Sequence, residues 1–227
     1  MRHIHKQTAP PASLEKWLER KRKEFVGKSS TYQWGKFQKS SDAKRDLQER
    51  LLQEQGHLCA YCNRRIHRGD PKDDEQMRMD HLYAKHRHPD KLFDYKSIVG
   101  SCYGSEKDPP PKTLHCEGLK RFCDEKGDQL PGALFPTDSR CEDYIVTNDG
   151  KLIWQDTLLQ AAMETFMNLN CAKLLDDRMR VLQTYIDLAG GDEADINAEI
   201  SLTLSPDADG RMEAYAGVIV NFFKQYL

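Results

Sequence analysis

With 227 residues, 38% of them hydrophobic and 31% charged, the chain is long enough to bury a substantial core, yet it holds no apolar run near the roughly 20 residues that cross a bilayer. The formal net charge of −2 hides a gradient: residues 1–50 carry 13 basic and 6 acidic groups, residues 51–125 carry 13 of each, and residues 126–227 carry 8 and 17. A polyanion is therefore drawn to the N-terminal half and repelled by the C-terminal third. Met1 to Lys6 is too polar and basic to open a secretory signal, so the cytoplasm is the expected compartment and no membrane partner is expected.

Residues 1–12, with Pro10 and Pro11, read as an extended lead-in. Ser13 is placed to cap a helix from Leu14 that buries Trp17 and Leu18. A Gly, Ser and Thr cluster from Gly27 to Thr31 breaks it. Ser41 then caps a second helix, in which Leu47, Leu51 and Leu52 recur at helical spacing before Gly56 stops it. From His57 to Asp124 the pattern changes to short segments broken by Gly and Pro, where cysteine and histidine concentrate. That stretch predicts a knuckle and hairpin around Cys59–Ile66, a polar turn, and a strand running up to Asp80 and His81. A loop through His86–Pro89, a short helix before Cys102, an inserted loop at Pro109–Pro111 and a last helical turn within Thr113–Phe122 complete it.

Arg140–Trp154 predicts a second hairpin, because Tyr144, Val146, Leu152 and Trp154 alternate around Asn148-Asp149-Gly150, a strong turn signal. Leu158, Ala162, Phe166 and Leu169 then form one amphipathic stripe. Asn170 caps another helix carrying Leu174, Met179, Leu182 and Ile186, and a final helix covers Met212–Tyr226. The expected class is α+β in three regions: a basic helical region 1–56, a metal-stapled core 57–125, and an acidic hairpin with helices 126–227 that suits docking of a partner protein.

Seven cysteines in a reducing compartment point to metal ligands and buried thiols rather than disulfides. Cys59 and Cys62 form a C-x-x-C pair whose two thiolates can share a tetrahedral zinc ion, Zn2+, and Cys102 and Cys116 complete the set. His115 and Cys123 are rival fourth ligands, with Cys116 preferred. Cys123, Cys141 and Cys171 otherwise read as small buried hydrophobes. A segment with so little apolar mass needs such a staple to fold. Between the two cysteine pairs sits Asp80-His81, a carboxylate beside an imidazole. At a strand end, Asp80 can hold a hard divalent cation while His81 activates water, the parts that phosphodiester hydrolysis requires. His86 and His88 read as ordinary loop residues, and His3 and His5 as part of a fraying terminus.

Cys59-x-x-Cys62, Asp80-His81, Asp94-Tyr95 leading to Cys102, and Cys116-x-x-x-Lys120 together resemble the HNH, or ββα-metal, nucleases. More narrowly, the chain is similar to the HNH endonucleases associated with retron and Septu antiphage systems. The likeness takes in Met1–Leu14, the Cys141–Gly150 hairpin and the Thr165–Arg178 stretch. It implies a zinc-stapled ββα-metal finger embedded in a mainly helical protein with an extra β-hairpin. It further implies that Cys59, Cys62, Cys102 and Cys116 hold structural zinc, Asp80 binds catalytic magnesium (Mg2+) or manganese (Mn2+), His81 is the general base and Lys120 contacts a phosphate.

Two positions depart from the family pattern. Glu117 stands where relatives often carry His or Asn beside the metal, and a carboxylate there still suits magnesium or manganese. Ser97 stands at the place of the central asparagine, where a hydroxyl on a shorter arm orients a metal or loop only through water. The resemblance implies a DNA or RNA substrate, an ATPase partner and, in retron systems, a reverse transcriptase with its DNA–RNA product. Ser97 also raises the alternative of a zinc-finger binding module that docks nucleic acid or the ATPase without cutting. A zinc deaminase is rejected: His115-Cys116-Glu117 spells H-x-E, but no P-C-x-x-C follows.

Overall fold

The structure, a computed structural model, describes residues 1–40, 42–69, 76–104, 113–125, 135–186 and 192–227. The expected cap at Ser41 and the Pro109–Pro111 loop lie outside the described residues. Among the described residues the fold is α+β, about half helical, with two small antiparallel sheets. No helix among the described residues is long and apolar enough to cross a membrane.

Helix α1 (Ala12–Phe25) begins two residues before the expected start, with Pro11 rather than Ser13 as its N-cap. The missing N–H of a proline costs nothing at a helix start, where the first donors have no intrahelical acceptor. Leu14 and Trp17 turn inward. The interval after Gly27 holds a helix the sequence reading did not anticipate, α2 (Ser30–Gln38), started by the Ser29 side chain accepting the Tyr32 N–H at 3.3 Å. Its inward residues Trp34 and Phe37 join Trp17, Phe25 and Phe93 in one aromatic cluster. Helix α3 (Asp42–Gln55) follows the predicted leucine spacing and stops at Gly56, whose φ of 59° favours glycine.

Strand β1 (Arg78–His81) pairs antiparallel with β2 (Ile98–Ser101), Asp80 opposite Val99 and His81 opposite Ile98. The residues before Cys102 are thus a strand, not the expected short helix. Ile98 and Val99 are buried and β-branched, and only a 3₁₀ turn at Tyr95–Ser97 precedes them. The helix after the second cysteine pair, α4 (Cys116–Glu125), is ten residues long rather than one turn.

Strands β3 (Tyr144–Val146) and β4 (Leu152–Trp154) form the predicted second hairpin, with Gly150 at φ 76°. Helix α5 (Thr157–Ala162) continues into a π turn at Met163–Met167. A π turn takes more residues than an α turn, so a 3.6-residue stripe drawn through it slips. Leu158 is accordingly 79% exposed, and Leu159, Met163 and Met167 take the inward places beside Ala162 and Leu169. Helix α6 (Ala172–Ile186) buries Leu174 and Leu182 but leaves Met179 exposed. Asn170 welds hairpin to helix instead of capping: its Oδ1 accepts the Leu152 N–H at 2.9 Å and its Nδ2 donates to the Leu152 carbonyl at 2.8 Å. Helix α7 (Glu193–Thr203), also unanticipated, is capped by Asp192, and α8 (Ala216–Phe223) is shorter than expected and almost wholly buried.

One contiguous apolar core includes Leu14, Leu47, Ile98, Leu152 and Phe222. The lead-in does not fray: Met1 and Ile4 are buried, the Ile4 N–H donates to the Pro136 carbonyl at 2.7 Å and the His3 N–H to Glu142 Oε1 at 2.8 Å.

A buried amide that no pattern announced holds the hairpin to α3. Gln55 Nε2 donates to the carbonyls of Leu58 and Gly100, each at 2.7 Å, and its Oε1 accepts the Gly100 N–H at 2.7 Å. Replacing Gln55 with leucine strands the Leu58 carbonyl and the Gly100 N–H, while the Gly100 carbonyl keeps the Ala60 N–H at 3.0 Å, so a loss of about 2–4 kcal/mol is expected in urea unfolding. A loss under about 0.5 kcal/mol would show that these groups find other partners.

Candidate metal centre

Two backbone loops bring the cysteines together. In the first, the Cys59 N–H donates to the Arg64 carbonyl at 2.8 Å and the Asn63 N–H to the Cys59 carbonyl at 3.1 Å. Asn63 sits at φ 60°, a conformation that asparagine tolerates better than most residues. The second loop carries Cys102, whose N–H points at Cys59 Sγ at 3.3 Å. Gly104 follows at φ 72°, and its carbonyl accepts the His115 N–H at 2.8 Å. A Cβ at position 104 would lie 1.8 Å from the His115 carbonyl oxygen, so this approach requires glycine. Gly104→Ala should therefore push Cys116 away from its fellows. Zinc affinity is expected to fall at least about tenfold in chelator competition, and an unchanged affinity would remove this role.

The Sγ atoms of Cys59, Cys62, Cys102 and Cys116 all lie within 4.8 Å of one another, buried and free of disulfides. A tetrahedron with metal–sulfur bonds of about 2.3 Å has edges of about 3.8 Å. Cys62 and Cys102 stand 3.8 Å apart, and the four cysteines form a site fit for zinc. Cys116 is the fourth member of the cluster. His115, buried beside it, places Nδ1 at 3.1 Å from Cys116 Sγ, within hydrogen-bonding distance, and stands outside the four-donor cluster. The side chain of Cys123 lies outside the described residues. Burial opposes the charge of Arg64, but the sulfurs of Cys62 and Cys102, with Tyr215 and Asp177, outweigh it and hold the guanidinium charged. Cys141 is a buried thiol pushed up to about 12 by desolvation, and Cys171 is half-buried.

The centre touches Asp80 through the spacer of the C-x-x-C pair. Tyr61, fully buried, donates its hydroxyl to Asp80 Oδ2 at 2.5 Å, and burial followed by the Asp80 charge raises the Tyr61 phenol well above its usual range. Lys120 reaches in from α4. Its Nζ donates to the His81 carbonyl at 2.7 Å and stands 3.6 Å from Asp80 Oδ1. The Asp80 carboxylate thus has a hydroxyl on one oxygen and an ammonium near the other, both buried.

His81 lies under α2. Its Nε2 is 3.0 Å from the Leu92 carbonyl, so Nε2–H donates there and Nδ1 is the basic nitrogen. The Trp34 ring meets the imidazole at a centroid distance of 4.3 Å and 75°, and His81 is only 5% exposed. Desolvation, helped by Lys85 and Lys120 and opposed by Asp80 and the Leu92 carbonyl, lowers its pKa to about 4. The ring is therefore neutral at neutral pH, the protonation state of a base.

The other expected site residues are more scattered. Ser97 is buried, and its Oγ donates to Asp94 Oδ2 at 2.9 Å while its carbonyl accepts the Leu82 N–H at 2.9 Å. Glu117 is half-buried in the first turn of α4. Among the described residues no second group of three or more His, Cys, Asp or Glu donors comes together. His86 is exposed, His88 packs on Tyr83, and His3 packs on His5. Tyr61, Trp34 and Gln55 escaped sequence reasoning, since nothing in their spacing marks them as neighbours of Asp80, His81 and Gly100. The chain matches no protein-family model, and no curated protein matches it.

Proposed function

We propose that the chain is a metal-dependent HNH endonuclease, the effector of a retron- or Septu-type antiphage system restrained by an ATPase partner. The observation that carries this reading is the meeting of Asp80, His81 and Lys120 at one end of a hairpin that the cysteine quartet fastens to α4. Asp80 and Glu117 offer the hard oxygens that magnesium or manganese prefers. Such an ion, when bound, neutralises charge on the phosphate and leaving oxygen. Asp80 would hold such an ion while still accepting the Tyr61 hydroxyl, and Lys120 would contact a phosphate. His81 Nδ1 takes the proton of the attacking water, while the Leu92 carbonyl fixes the tautomer. Ser97 acts at the asparagine position through water.

Because the His81 ring is buried against Trp34, cleavage on this reading requires Trp34 to move aside before a phosphodiester reaches Nδ1. The basic N-terminal half suits the nucleic acid, and the acidic C-terminal third suits the ATPase, joined in a retron by a reverse transcriptase and its DNA–RNA product.

The test is cleavage of single- and double-stranded DNA and RNA with magnesium or manganese, with and without the ATPase. Cleavage that requires the divalent ion supports the proposal. No cleavage with every partner present would sink it in favour of the second reading, a zinc-finger binding module. That reading draws on the burial of His81 and on the pairing of Asp80 with Lys120 and Tyr61.

A further inference from the structure

A cleft of about 390 Å³ lies among the end of α6, helix α7 and the loop that follows it, lined by Tyr185, Glu199, Leu202, Thr203, Met212 and Glu213 and also by Arg65 and Arg211. Its volume falls in the range of small-ligand clefts. Thr203 is 2% exposed, and its hydroxyl has no hydrogen-bond partner among the described residues. Buried hydroxyls are rarely left so, and Thr203 is among the residues that line the cleft.

The charges around the cleft are unevenly matched. Arg65 is engaged by the Met212 carbonyl at 2.9 Å, and Arg211 by Asp209 at 3.4 Å. Asp207 accepts the N–H groups of Asp209 and Arg211 at 2.9 and 2.8 Å. Glu199 and Glu213 have no ion pair among the described residues, and both line the cleft with Tyr185, whose phenol is raised by burial, then by Glu213, then by Glu199. The unbalanced charge in the cleft is negative. Its wall is apolar, with Leu202 67% exposed and Met212 buried.

We propose that this cleft binds an arginine side chain from a basic peptide segment of a partner protein. The alkyl stem lies along Leu202 and Met212, as long cationic side chains do on apolar surface. The guanidinium sits between Glu199 and Glu213, and the hydroxyls of Thr203 and Tyr185 accept its remaining N–H groups. Two carboxylates and two hydroxyls match the five fixed donors of arginine better than the three of lysine.

Calorimetric titration of the full chain at low salt, with Ala-Arg-Ala blocked at both ends, tests the assignment. Saturable binding is expected, weakened at least about tenfold when Glu199→Gln and Glu213→Gln are combined, and several-fold by Thr203→Val. Blocked Ala-Lys-Ala should bind more weakly, and inorganic phosphate not at all. Leu202→Lys, at an exposed position that leaves folding intact, places a competing ammonium in the cleft and should abolish binding even if the glutamine variant fails to fold. Absence of saturable Ala-Arg-Ala binding, equal binding by the Leu202→Lys variant, or saturable phosphate binding would each overturn the proposal.

Discussion

Cys102→Ser is expected to lose zinc and, with it, the cooperative fold of the β1–β2 hairpin and α4. The short strands bury few residues of their own, and the four sulfurs tie the first loop, the end of β2 and the start of α4 to a single point. Structural zinc supplies on the order of 10 kcal/mol or more to small domains. That rivals the roughly 5–15 kcal/mol that holds a whole domain folded, so no local repacking compensates. Metal analysis should fall from one zinc per chain to near zero, and the melting temperature should drop by at least about 10 °C. Cys141→Ser and Cys171→Ser, outside the cluster, should keep the zinc. Full zinc content in Cys102→Ser, or none in the wild type, would remove the metal centre from the account.

His81→Ala is expected to lower divalent-dependent cleavage by about a hundredfold to ten-thousandfold, the contribution of a positioned general base. Its zinc content should stay at the wild-type level, because His81 lies outside the sulfur cluster. That pairing of readouts separates a lost base from a collapsed fold. Removing the cation that balances Asp80 gives the companion result: Lys120→Met leaves a buried carboxylate without its partner and should cost about 3–5 kcal/mol without metal, a loss that magnesium or manganese at Asp80 should partly restore. Equal cleavage by wild type and His81→Ala would end the assignment of His81 as base.

The helical leucines of α3, the alternation around Asn148-Asp149-Gly150 and the C-x-x-C pair were legible because each is a local pattern with its own period or turn chemistry. The errors have equally local causes. The π turn after α5 moved Leu158 outward, and β-branched Ile98 and Val99 made a strand where a short helix was expected. Helix α2 was passed over because its apolar residues are few, and α7 because Ala194, Ile196, Ala198, Ile200 and Leu202 recur at every second residue rather than at helical spacing; each is started by the side chain of the residue before it.

By itself the sequence determined which residue types were at hand: four cysteines at metal-ligand spacing, an acid beside a histidine, and a charge gradient from basic to acidic. Only the tertiary structure decided that Cys116 rather than His115 joins the sulfur cluster, that Tyr61 and Lys120 converge on Asp80, and that Trp34 covers His81. The reason is that these contacts join residues whose separations along the chain follow no period. Their meeting depends on how α2, α3 and α4 pack on one small hairpin, through groups such as Gln55 that pair with backbone far away in the sequence.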